Sequence, residues 1–151
     1  MKIENRLKEL NIELPEAPAP LAAYIPCRRS GNLVFISGQG SSFNGRETFQ
    51  GKVGAELALE EGYQAARYCG LNLLAQLKKF LGDLDSVKQI VHVKGFVASD
   101  ANFYSQPQVI NGVSDLMAEV FGEAGRHTRC ALGANVLPGN IPVEVELIAE
   151  V

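Results

Sequence analysis

Arg129, near the end of the chain, is the side chain whose type and setting suit chemistry on a small acid, and a glutamate-bearing run follows it. Arg129 opens an extended run in which Ala131, Gly133 and Asn135 share its face. Small neighbours leave room around a guanidinium, whose planar fork can grip a carboxylate with two parallel hydrogen bonds. Glu144 falls in a second extended run beside Glu146 and Glu150, where a carboxylate on a strand is ordinarily solvated. Cys130 follows Arg129, but alternation along a strand sends it to the opposite face, and the spacing supplies no histidine to activate it. It reads as a small core residue. His92 and His127 lack metal-ligand spacing, so no metal site is expected, although His127 precedes Arg129 by two and can line the same cleft. No phosphate loop, GxGxxG or GxSxG pattern occurs.

The elements that must hold these residues are legible from hydrophobic period. Residues 129–151 read as a hairpin. In its second strand Ile141, Val143, Val145, Leu147 and Ala149 alternate with Pro142, Glu144, Glu146 and Glu150. Upstream, residues 1–20 read as an N-terminal helix over 2–10 and an extended lead-in over 13–20, imposed by Pro15, Pro18 and Pro20. Strands are expected at 24–28 and 33–37 around a Ser30-Gly31-Asn32 turn, followed by a loop over 41–52. Leu59, Tyr63, Ala66, Gly70, Leu73, Leu77 and Phe80 recur at helical spacing, which predicts a long helix over 55–81 that stops at Gly82. A strand over 87–98 follows, with Val91, Val93, Gly95 and Val97 on one face. A second long helix is expected from Gln106 or Pro107 to Phe121. The order ββαβαββ predicts an α+β layer with both long helices on one face of the sheet. Val91, Val93, Val97 and the C-terminal valines supply more apolar surface than two helices easily cover, which predicts an apolar sheet face open for an interface.

At 151 residues with 46% apolar content, one domain spanning 1–151 with a real core is expected. No apolar run reaches membrane-span length, and the first residues lack a secretory pattern. Three cysteines without a CxxC pair fit a reducing cytoplasm. The net charge of −3, with only Arg28-Arg29 and Lys78-Lys79 as short basic spots, weighs against nucleic acid as the main ligand.

Arg129, the Leu137-Pro138 turn and the ending Val143-Glu144-Val145-Glu146-Leu147-Ile148-Ala149 resemble the C-terminal signature of the RidA/YjgF family, also called endoribonuclease L-PSP. Tyr24 with Gly31-Asn32-Leu33-Val34-Phe35-Ile36-Ser37-Gly38-Gln39 resembles that family's first hairpin, and Asn111 stands where its second helix often has an asparagine. The resemblance covers roughly residues 18–151. It implies a chorismate-mutase-like fold, a homotrimer whose sheets form a central barrel, and sites in the clefts between subunits. It also implies cofactor-independent deamination of enamines and imines. By the same likeness Arg129 binds the substrate carboxylate and Glu144 orients water. Tyr24, Ser37, Gly38 and Asn111 shape the pocket, and the main chain of Cys130 and Ala131 contacts the substrate. The segment Gly125-Arg126-His127-Thr128 departs from the proline and alanine that often precede the arginine, as a divergent branch would.

Three functions follow as expectations. The leading one is hydrolysis of small 2-imino or 2-amino-enoic acids to 2-oxo acids and ammonia, with no cofactor. The second is a non-catalytic trimer that binds a small carboxylic acid. The third is the ribonuclease or translation-inhibitor activity attached to the family's older name.

Overall fold

The computed structural model describes residues 1–151. The expected helices form. Helix α1 spans Lys2–Glu9, α2 spans Leu59–Leu81 and α3 spans Gln106–Phe121. Strands are β1 (Cys27–Ser30), β2 (Leu33–Gln39), β3 (Gln89–Ala98), β4 (Thr128–Ala134) and β5 (Val143–Glu150). They make one sheet in the order β1-β2-β5-β3-β4. Gly82 ends α2 with a φ of 83°, as its position predicted.

The last two strands are not a hairpin. β5 lies between β2 and β3, antiparallel to both, while β4 runs parallel to β3 at the sheet edge. The cause is α3. A strand–helix–strand crossover returns the chain in its original direction, so β4 must be parallel to β3. The link through a short turn at Pro138–Asn140 then carries the chain past β3 to β5.

Two strand ends also move. The first strand begins at Cys27 rather than at 24, because Pro26 has no N–H for a ladder, so Tyr24 lies in the bend before it. The register slips between Ile90 and His92. That irregularity turns Ile90 inward and leaves Val91 half-buried, so the core face of β3 is Ile90, Val93, Gly95 and Val97.

All three helices lie over one face, where Val93, Val97, Val143 and Val145 are fully buried. The valines therefore serve this core, not an interface. Ile3 and Leu7 of α1 join it, so the segment before the lead-in is part of the packed structure. The uncovered face follows from the register: Phe35, His92, Lys94, Phe96, Cys130, Leu132, Glu144, Glu146 and Ile148. It mixes large apolar side chains, Phe35 and Leu132 among them, with charges. Cys130 accordingly sits half-buried on this open face and not in the core.

Two glycines set how closely α3 can approach. A Cβ at Gly112 would fall inside the contact distance of the Tyr63 carbonyl oxygen of α2, and one at Gly95 would strike Ile110 of α3. Backbone cannot yield as a side-chain tip can. We predict that Gly112→Ala lowers unfolding free energy by about 1–3 kcal/mol through overpacking. Urea unfolding monitored by circular dichroism should show a lower midpoint with an unchanged slope; an unchanged midpoint would contradict the packing argument.

Candidate active site

Arg129 is the second residue of edge strand β4 and pairs with Val93 in the ladder, so it points to the helix-covered side. There it meets α3. Its Nη1 donates to Oδ1 of Asn111 at 2.8 Å and to Oγ of Ser114 at 3.1 Å. Asn111 and Ser114 are one helical turn apart and share a face. Asn111 is thus not a solvated helix residue; it holds the arginine. Ser114 also lies 2.9 Å from Nε2 of His127, whose Nδ1 lies 2.7 Å from the Gly125 carbonyl oxygen. Burial pushes the His127 pKa down, the Gly125 carbonyl opposes that, and the Arg129 charge adds to the lowering. Ala131, two residues on, is half-buried on the same side.

Glu144 is elsewhere. It pairs with Phe96, and Phe96 and Val93 are three apart on β3, so Glu144 and Arg129 occupy opposite faces of the sheet. Glu144 packs over Gly38, where an added Cβ would lie 3.1 Å from its carboxylate. Glycine at that position lets the carboxylate come down onto β2. An open cavity of about 460 Å³ beside it is lined by Tyr24, Gly38, Gln39, Glu47, Pro138 and Glu144, among others. Burial raises the Glu144 pKa, and the neighbouring Glu146 charge raises it further.

The residues proposed from sequence therefore form two groups. Arg129, Asn111 and Ala131 gather under α3; Tyr24, Gly38 and Glu144 gather at the far end of the sheet. Ser37 belongs to neither. The bulge between Ile36 and Gln39 turns it away, its hydroxyl donates to the Ile25 carbonyl at 2.9 Å, and it lines a different cavity with Arg28, His92 and Lys94. Cys130 accompanies Lys94 on the open face, and its main chain is the continuation of the Arg129 edge. Sequence reasoning did not find Ser114, a single serine in a helix, nor Glu47 and Gln39. Gln39 is buried and accepts a bond from Gln76 of α2, which also donates to Pro18 at 2.6 Å and so ties the proline-rich lead-in to the cavity.

The fold that carries these two groups, Arg129 on one face of the sheet and Glu144 on the other, is of a known class. The family described as "YjgF/chorismate mutase-like, putative endoribonuclease" matches residues 4–151, and the chain belongs to it. Among its relatives, the Protein TCP17 of Trypanosoma cruzi is 41% identical over 99% of this chain and 94% of that protein. The crystal structure of Atu1372 from Agrobacterium tumefaciens, a protein of unknown function, superposes with a TM-score of 0.92 at 44% identity, over 99% of this chain and 92% of that one. A "putative endoribonuclease" from Shewanella oneidensis gives 0.96 at 39% identity, over 99% of each chain. RidA from an Antarctic Psychrobacter shares the fold at a TM-score of 0.60 and 24% identity, covering 90% of this chain and 94% of that one.

The Glu144 environment has a measurable consequence. Its folded pKa is raised, so ionisation is disfavoured in the folded state. The stability this implies is full at low pH and is lost as pH rises through the folded pKa. Glu144→Gln removes the penalty. We predict that this variant is at least as stable as wild type at pH 7 and loses its advantage as pH falls towards 4, measured by thermal unfolding across that range. A variant less stable at pH 7 than at pH 4, relative to wild type, would contradict the assignment.

Proposed function

We propose that this protein hydrolyses small 2-imino acids, and the 2-amino-enoic acids that tautomerise to them, yielding 2-oxo acids and ammonia. The observation that carries this reading is Arg129, an edge-strand guanidinium fixed by Asn111 and Ser114. The substrate carboxylate docks on its free donors. Water adds to the imine carbon and the C–N bond breaks, so a 2-imino acid plus water gives a 2-oxo acid plus ammonia. One proton must leave the water and the departing nitrogen must gain one. Glu144, whose pKa burial raises, is suited to pass that proton. Tyr24, Gly38, Gln39 and Glu47 wall its side of the cleft. The chemistry asks for no cofactor.

One copy holds Arg129 and Glu144 on opposite faces, so the complete cleft requires two copies. We propose a homotrimer in which the β4 edge and α3 of one subunit meet the Glu144 cavity of the next. Support comes from the open sheet face with exposed Phe35 and Leu132, and from the family's oligomeric habit.

RNA cleavage is the weaker reading. The net charge is −3, and His92 and His127 lie on opposite faces, engaged with Thr128 and Ser114.

The test couples a pyridoxal-phosphate dehydratase, as a source of 2-aminoacrylate or 2-iminobutyrate, to release of the 2-oxo acid. Wild type should accelerate release. Arg129→Ala and Glu144→Gln should fold and assemble but lose about 10²-fold or more of the acceleration. Full activity in Arg129→Ala would refute the reading. Binding of 2-oxo acids by wild type without turnover would favour a non-catalytic carboxylate-binding protein.

A further inference from the structure

Arg129 offers five N–H donors. Both hydrogens of Nη1 are committed, one to Asn111 and one to Ser114. The donors left are Nε–H and those of Nη2. Nε–H and one Nη2–H point the same way from the guanidinium plane, and that edge matches the two oxygens of a carboxylate. The anchoring of Nη1 therefore decides which edge meets the ligand.

Ser114 can accept from Arg129 in a fixed geometry only if its own proton is aimed elsewhere. His127 provides the target. The Gly125 oxygen can only accept, so the proton of the neutral ring sits on Nδ1 and Nε2 is left as an acceptor for the Ser114 hydroxyl. The donors thus run in one direction: Arg129 to Ser114, Ser114 to His127, His127 to the Gly125 carbonyl.

We propose that Ser114 and His127 are positioning residues for the carboxylate grip, and that His127 takes up a proton as a carboxylate binds Arg129; the Nε2–H so formed donates to the Ser114 oxygen, which accepts from Arg129 as before. The inference rests on the imine-hydrolase reading for the identity of the ligand. The guanidinium charge stands one hydroxyl away from the ring and opposes an imidazolium there; a bound carboxylate cancels it. The other charged or titratable groups on the neighbouring elements bond within the chain, and of these His92 also lowers the ring's affinity for protons. His92 of β3 bonds Thr128 through Nδ1, and Arg126 of the preceding turn pairs with Glu123 at 3.4 Å. On α3, Asp115 accepts from Tyr63 and Glu119 pairs with Arg67 at 2.9 Å. No carboxylate of the chain bonds the His127 ring, so the ligand's own is the one that changes its field. The depressed affinity of the free ring for protons, from burial and from Arg129, agrees with this geometry.

The chain has two histidines, so His127→Gln assigns their ring signals in a proton NMR pH titration of the full-length protein. Without ligand, the His127 midpoint should rise by about half a pH unit or more in Arg129→Ala. Calorimetry with 2-oxobutyrate at about pH 6, in two buffers of different ionisation heat, then counts protons. Wild type should take up a fraction of a proton more per ligand bound than His127→Gln. Ser114→Ala should weaken binding about tenfold and Ser114→Thr should restore it. An unmoved His127 midpoint in Arg129→Ala, or equal proton uptake by wild type and His127→Gln, would overturn the inference. If Arg129→Ala still abolishes imine turnover in that case, the hydrolase reading stands alone. A wild type that neither binds 2-oxobutyrate nor turns over imine overturns both.

Discussion

The site depends on how closely α3 lies to the rest of the fold. Gly112 lets its backbone meet the Tyr63 carbonyl of α2, and Gly95 receives Ile110 on the sheet. That close approach places the Asn111–Ser114 face within hydrogen-bond reach of Arg129 on β4. The same helix forces β4 to run parallel to β3, which puts Arg129 on an edge strand instead of inside a hairpin. One crossover thus fixes both the strand that bears the arginine and the groups that orient it. Loosening the helix by even a side chain's width would free the guanidinium, and a free arginine grips a carboxylate with less geometric selection.

The opposite faces of Arg129 and Glu144 follow from the period of two along strands and cannot be relaxed away. A shift of one residue in register would turn the valines of β5 out of the core. On the proposed function, a single copy presents two incomplete half-sites: an anion grip without a proton carrier, and a carboxylate cavity without an anion grip. The open face carries Phe35 and Leu132 exposed beside Lys94 and Glu146. Association that covers it would also bring the half-sites together, so assembly and activity would share one cause.

Much of this was readable in the sequence. The helical spacing from Leu59 to Phe80 and from Val109 to Phe121 specified α2 and α3, because long periodic segments carry their own signal. The alternation from Ile141 to Ala149 specified β5. What the pattern could not state was strand pairing: period two says that a strand has a buried face, not which neighbour it joins. Hence the apparent hairpin at 129–151, and the valines assigned to an interface when they fill the core. Val91 was misplaced because a bulge leaves no mark on composition. Tyr24 was put in a strand although Pro26 already forbade it. Arg129 and Glu144 stand out through their family likeness and His127 through its place two residues before Arg129, whereas Ser114 gains meaning only once α3 folds against His127, thirteen residues further on.

The most direct test of a cleft built by two copies is subunit complementation. Arg129→Ala and Glu144→Gln chains, each inactive alone, are co-expressed with different tags, and the mixed assemblies are assayed for imine hydrolysis. In a mixed trimer one of the three clefts receives its arginine from one variant and its glutamate from the other, so the mixed assemblies should recover about a third of wild-type activity. Mixed assemblies as inactive as their parents would contradict the shared site.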